Sequence, residues 1–189
     1  MPSGLRNTIE LVLPGALIGL LAGAIVGGLA AYGGLPAGII AISVAALGVP
    51  LAAAGAGYEL LVAAGRLRLG GIAPAALYWL VAFTAARLVD QALVALLTGT
   101  APEYRGGIAG FVVWQAIVGS LFSIGYIWIR EHVSPLWWVR IAGHNPVARR
   151  YVEQYTRQAV IARQQKEKKQ QQAQQRLAGT AREPGRVKR

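Results

Sequence analysis

The chain has 189 residues, of which 54% are hydrophobic and only 14% are charged. A chain of this composition is too apolar for a soluble domain and is long enough for several membrane helices. It contains no cysteine, which excludes disulfides, iron–sulfur clusters, thiolate metal sites and cysteine nucleophiles. These values predict an integral membrane protein.

The net charge of +11 is concentrated in the last third of the chain. Residues 131–189 contain thirteen Lys and Arg against four Glu, so the first 130 residues are nearly neutral. This asymmetry divides the chain into a membrane domain, residues 1–130, and a basic segment. We expect interfacial and amphipathic helices over residues 131–178 and a disordered basic tail over residues 179–189.

Four apolar segments reach the roughly 20 residues that a helix needs to cross a bilayer. They cover approximately residues 11–32, 36–64, 74–97 and 108–129. The second segment contains Pro50, which predicts a kink within one span and not an additional span. The predicted fold is therefore an all-α bundle of four transmembrane helices.

The first span carries four glycines at a spacing of four residues. On a helix this spacing keeps them on nearly one face, so a neighbouring helix can approach to backbone contact. Looser small-residue spacings on the second and fourth spans make these helices the expected partners. The alternative is that the glycine face docks another subunit. The glycines are Gly15, Gly19, Gly23 and Gly27.

Three ionisable residues lie within the spans, where charges are rare and are functional candidates. Glu59, near the end of the second span, is expected to pair with Arg66 or Arg68 or to snorkel towards the interface. Arg87 and Asp90 lie three residues apart on the third span and can pair with each other. We expect this pair to neutralise itself and hold the span against its neighbours; the alternative is an ion, proton or anionic-substrate pathway.

The orientation follows from the basic residues that flank the spans. They fall on one side of the membrane if there are four spans and both termini are cytoplasmic. High Ala, Gly and Arg contents are typical of a GC-rich bacterial source, so we expect the bacterial inner membrane. The flanking basic residues are Arg6, Arg66, Arg68 and Arg130. Aromatic residues predicted to anchor the interfaces are Tyr78, Trp79, Trp128, Trp137 and Trp138.

After the fourth span, Ser134 and Pro135 form a helix-start signal and Gly143 a stop signal. They predict a short interfacial helix that brings Trp137, Trp138 and Arg140 to lipid or to a partner.

A second start signal at Pro146 predicts a long basic helix that ends near residue 175. Its apolar stripe, from Ala148 to Ala162, needs cover from the membrane surface or from a partner helix. Anionic lipid headgroups are the first expected contact, and nucleic acid or a ribosome is disfavoured because no recognition motif is present. The basic residues of this helix are Arg149, Arg150, Arg157, Arg163, Lys166, Lys168 and Lys169.

The sequence contains no catalytic pattern: no Ser/His/Asp arrangement, no paired carboxylates at helical spacing and no phosphate-binding loop. His132 and His144 have no partner at metal-ligand spacing. We therefore expect no enzyme, no cofactor and no metal. The preferred function is a small accessory or assembly subunit of a larger membrane complex, which docks through the glycine face and the basic helix. The alternative is a homo-oligomeric channel or transporter that uses Arg87 and Asp90.

Overall fold

The computed structural model describes residues 3–67, 71–102, 104 and 106–181, with side chains up to residue 174. These residues form five α-helices and no strand. The helices are α1 (Ser3–Tyr32), α2 (Ala37–Ala63), α3 (Ile72–Thr98), α4 (Gly107–Ile141) and α5 (Pro146–Ala181).

The first four helices are long and apolar enough to span a membrane. This confirms a multi-pass membrane protein. The bounds of α2 and α3 fall within two residues of the predicted spans, and α2 continues through Pro50 as one helix. By contrast, α1 begins at Ser3, well before residue 11, and includes Pro14. At about 1.5 Å per residue α4 is about 52 Å long, which exceeds the thickness of a hydrocarbon core.

The separate interfacial helix predicted for residues 134–143 is wrong, because α4 continues through Ser134 and Pro135 to Ile141. Proline at this position removes one backbone hydrogen bond but does not end the helix. The face of α4 that carries Arg130, Ser134 and Trp138 at four-residue steps is fully buried. Burial of this face stabilises the helix across the proline, so tertiary packing overrides the local start signal.

Consecutive helices pack on one another, and α1 also packs on α4, which closes the bundle. The core contains large aromatic side chains, with Trp79 of α3 packed between Phe122 and Tyr126 of α4 at ring distances of 4.8 and 4.5 Å. Trp79 is fully buried, so its predicted role as an interface anchor is wrong. Trp128 is 65% exposed, as an anchor requires.

The turn between α4 and α5 is held by the side chains of Asn145, in the turn, and of Arg149, in α5. The side-chain oxygen of Asn145 accepts hydrogen bonds from the backbone N–H groups of Val147 and Ala148, which caps the start of α5. Arg149 donates to the backbone carbonyls that follow α4, at Ala142 and Gly143. The long basic helix predicted from the sequence is therefore present, and it continues to Ala181. The predicted disordered tail is wrong for residues 179–181, and its remainder lies outside the described residues.

Candidate functional site

The glycine row of α1 packs against α2 of the same chain. A Cβ atom added at Gly19 would lie under 3.0 Å from the backbone of Leu51. One added at Gly23 would lie 2.5 Å from the Cα of Gly48. Side chains cannot be accommodated at such distances unless the helices separate. At the remaining two positions the nearest neighbours on α2 are Gly55, opposite Gly15, and Val44, opposite Gly27.

The glycine face is therefore filled from within the chain, and the expectation that it docks another subunit is wrong. The second span is its partner, as predicted by the alternative in which the glycine face packs within the chain. The fourth span meets the row at Gly15, where an added Cβ atom would lie 2.8 Å from the hydroxyl of Tyr126. Its own small residue Gly119 packs instead against the backbone of Trp79 on α3. Any surface offered to a partner must lie elsewhere.

Glu59 and Arg130 form a buried ion pair between α2 and α4. The Nε and Nη2 atoms of Arg130 donate to the Oε1 and Oε2 atoms of Glu59 at 2.7 and 2.9 Å. Both side chains are 0% exposed. Two parallel charge-assisted hydrogen bonds satisfy both carboxylate oxygens and fix the orientation of the guanidinium plane.

Two aromatic rings contact the guanidinium of this pair, and a glycine leaves space for its carboxylate side chain. The guanidinium carbon of Arg130 lies 5.4 Å from the ring centre of Tyr58 and 5.2 Å from that of Trp138, within the range of cation–π attraction. A Cβ atom at Gly15 would lie 2.9 Å from the Cγ of Glu59. The first glycine of the α1 row thus leaves the space in which the carboxylate side chain packs.

The pairing of Glu59 with Arg66 predicted from the sequence is wrong, because Glu59 pairs with Arg130. Arg66 is exposed, and Arg68 lies outside the described residues. Arg130 could not be assigned to the pair from the sequence, because its position directly after an apolar run is typical of a loop. The available signal was the four-residue step from Arg130 to Ser134 and Trp138, which places one cation on the same helical face as an indole.

The first turns of α5 cover the pair from outside the bundle. The ring of Trp138 lies 4.8 Å from that of Tyr151 and 5.8 Å from that of Tyr155. The hydroxyl of Tyr155 donates to Glu131, which also accepts a hydrogen bond from Arg130 at 3.1 Å. Trp138 is fully buried in this contact, so its predicted contact with lipid or a partner is wrong.

The environment of the two α5 tyrosines favours their neutral hydroxyl forms. Burial raises the pKa of Tyr151 to about 12. Burial also raises the pKa of Tyr155, and the hydrogen bond that its hydroxyl donates to Glu131 raises it further. A phenolate at either position would lose solvation, and at Tyr155 it would face a carboxylate.

The beginning of α1 is joined to the end of α4 and to the turn that follows. The indole N–H of Trp137 donates to the backbone carbonyl of Glu10 at 2.7 Å, and the side-chain amide of Asn145 donates to that of Asn7 at 2.8 Å. The Nε2 atom of His144 lies 2.6 Å from a carboxylate oxygen of Glu10. Trp137 therefore makes an intramolecular contact while remaining partly exposed.

Arg87 and Asp90 contact each other on α3, as their spacing predicts. The Asp90 side chain is 7% exposed and that of Arg87 is 24% exposed. Each charge thus has its partner on the same helix.

The other predicted basic contacts are exposed. Arg140 lies at the end of α4, beside a surface cavity of approximately 500 Å³ that Trp137 also lines. Arg149 and Arg150 lie on the first turn of α5, and Arg149 is engaged with the end of α4. The others lie further along α5, after Tyr155, and are Arg157, Arg163, Lys166, Lys168 and Lys169.

Comparison of the chain with protein-family models, with curated proteins and with solved structures gave no match.

Proposed function

We propose that this protein is a small non-catalytic membrane subunit, an accessory or stabilising component of a larger membrane protein complex. It is placed in the bacterial inner membrane with both termini in the cytoplasm, and it presents the basic helix α5 on that side. The docking role first expected for the glycine face is not part of the proposal, because α2 fills that face.

The observation that carries the proposal is the burial of Glu59 and Arg130 against each other. A catalytic or transport site needs a charged group that a substrate can reach, and its environment is arranged to leave that group reactive. Here both carboxylate oxygens of Glu59 accept hydrogen bonds from one guanidinium. The third nitrogen of that guanidinium donates to Glu131, and the rings of Tyr58 and Trp138 lie against it. Such a pair positions two helices relative to each other. It leaves neither carboxylate oxygen of Glu59 free to take part in a reaction.

The proposed orientation is supported by the contacts at one end of the bundle. Glu10, near the start of α1, receives hydrogen bonds from Arg6 and Trp137, so the start of α1 and the end of α4 lie together. Arg66 lies just after the end of α2, at the end that also contains the Glu59–Arg130 pair. Basic residues at one end of a bundle favour the cytoplasmic side for that end.

Purification from native membranes tests the proposal. A chain tagged at its C-terminus would be extracted in mild detergent from its host, and the co-purifying proteins would be quantified by mass spectrometry. We expect one or more larger membrane proteins at a fixed ratio to the chain. The matched variants are Gly19→Leu, which should lose the partners because α1 and α2 separate, and Gly28→Ala, which should keep them because its Cβ meets no atom within 4 Å.

Recovery of the chain alone, as a homo-oligomer, would contradict the proposal. The same preparation would then be reconstituted in liposomes and tested for ion flux. Flux that depends on Arg87 and Asp90 would establish the alternative, a channel or transporter.

A further inference from the structure

The segment of α5 after Tyr155, residues 156–174, is a basic helix against which no other described part of the chain packs. Its described side chains are exposed throughout. It carries five cations and one carboxylate, that of Glu167. A polar helix with no packed face has little stability of its own in water. Another surface that supplies negative charge would stabilise it.

The direction of α5 shows where that surface lies. The chain reverses after Ile141, and α5 runs back along the end of α4. Trp138 stacks with Tyr151, and Glu131 accepts the hydrogen bond of Tyr155. Tyr155 contacts both the ring of Trp138 and the carboxylate of Glu131, so α5 advances from Tyr151 along α4 towards Arg130. The Tyr155 hydroxyl thus lies at the residue that follows Arg130, where the uncharged run of residues 106–129 ends.

Residues 156–174 therefore begin at the edge of the membrane and not at the outer tip of the protein. They cannot continue into the hydrocarbon, because five cations would have to leave water. At helical spacing, Arg157 and Lys168 lie on one side, with Arg163, Lys166 and Lys169 on the opposite side. Long basic side chains on both flanks of a helix can reach phosphates while the helix lies flat. Between these cations a single apolar turn, residues 159–162, is exposed.

We propose that residues 156–174 lie along the headgroup layer and bind anionic phospholipid on the side where α4 ends. Positive charge on the helix matches negative charge on that surface, and attachment to α4 holds the helix at the correct depth. The inference rests on the proposed function only for the side of the membrane. It names anionic lipid, and not a protein, as the partner of this segment.

The absence of cysteine permits a site-specific test on the full chain. A spin label would be attached at Ile161→Cys, and the protein reconstituted in vesicles of phosphatidylcholine alone or of equal parts phosphatidylcholine and phosphatidylglycerol. We expect collisions of the label with a water-soluble relaxation agent to fall several-fold in the anionic vesicles and to recover at high salt, because salt screens the attraction. A matched label at Gly143→Cys lies in the exposed turn. Its collisions with the relaxation agent should be equally frequent in both kinds of vesicle.

Two variants with similar helix propensity separate charge from fold. Replacement of Lys166, Lys168 and Lys169 together by Gln should abolish the difference between the vesicles. Replacement of Gln164, Gln165 and Gln170 together by Ala should preserve it. Equal accessibility of the Ile161→Cys label in both vesicles would overturn the inference.

Protection of that label only in native membranes, and not in anionic vesicles, would assign the segment to a protein partner and would also overturn the inference. The proposed function would survive that result. Conversely, lipid-dependent protection of a chain that purifies without partners would support the inference while the proposed function failed.

Discussion

Glu59 and Arg130 lie 71 positions apart in the chain and pair side chain to side chain inside the bundle, both at 0% exposure. The pair joins the last turns of α2 to the middle of α4. The space for it depends on Gly15 of α1, and the cover over it depends on α5. Four of the five helices therefore meet at one ion pair.

Loss of one partner of this pair should destabilise the protein strongly. In Glu59→Gln the buried guanidinium of Arg130 keeps its charge but loses its buried counter-charge, which typically costs about 3–5 kcal/mol. The partly exposed carboxylate of Glu131, 3.1 Å from Arg130, offsets part of that cost. The double variant Glu59→Leu/Arg130→Met removes both charges and should lose much less than the sum of the single variants. Denaturant titration in detergent micelles measures the free energies of unfolding.

The exposed pair of Arg6 and Glu10 is the control, because Arg6 is 63% exposed. Arg6→Met should change the free energy of unfolding by no more than about 1 kcal/mol. Equal losses in Glu59→Gln and in Arg6→Met would show that the buried pair has no special structural role.

The close contact between α1 and α2 at the glycine row should be destabilised by even one added methyl group. In Gly19→Ala the added carbon meets the backbone of Leu51 and Ala52, which cannot move aside as a side chain can. We expect a loss of about 1–3 kcal/mol from overpacking. Gly28→Ala, on the same helix, meets no atom within 4 Å and should gain up to about 1 kcal/mol of helix propensity. Changes in the free energy of unfolding of the same sign and size in Gly19→Ala and Gly28→Ala would contradict the close packing of α1 on α2.

The pair on α3 should prove dispensable. The double variant Arg87→Leu/Asp90→Leu removes both charges together, so stability should change by less than about 1–2 kcal/mol, and the co-purifying partners should be retained. Asp90→Leu alone should be less stable than the double variant, because Arg87 then lacks its counter-charge. A double variant of normal stability that loses its activity in the cell would instead favour a pathway through this pair.

Alkaline pH should release α5 from α4. Because the pKa of Tyr151 is raised to about 12 in the folded protein, this group contributes stability that is fully present below its ordinary value of about 10. That stability is lost as pH rises from there towards the raised value. The raised pKa of Tyr155 acts in the same direction. The distance between spin labels at Val133→Cys on α4 and Gln154→Cys on α5 should increase as α5 leaves α4.

Tyr151→Phe supplies the comparison for this titration. The Tyr151 hydroxyl has no hydrogen-bond partner among the described residues, so its removal should cost little at neutral pH. It should shift the release of α5 to higher pH, since one of the two ionising groups is gone. An unchanged pH midpoint would exclude Tyr151 as a cause of the release.

The sequence predicted the features that depend on local pattern. Apolar length defined the four spans, the spacing of Gly19 and Gly23 predicted a close helix contact, and the start signal at Pro146 predicted α5. It could not predict that Arg130 is buried, because its counter-charge lies on another helix and its cover comes from a segment that folds back. Hydropathy likewise placed the end of the fourth helix near residue 129, since it does not register that Ser134 and Trp138 continue a buried face.

The central claim, that this chain is a subunit of a larger membrane complex, is tested most directly by native mass spectrometry of particles excised from host membranes together with their lipid. The account predicts that the chain is found in a particle of fixed composition with at least one larger, different membrane protein. A particle that contains only copies of this chain would contradict it.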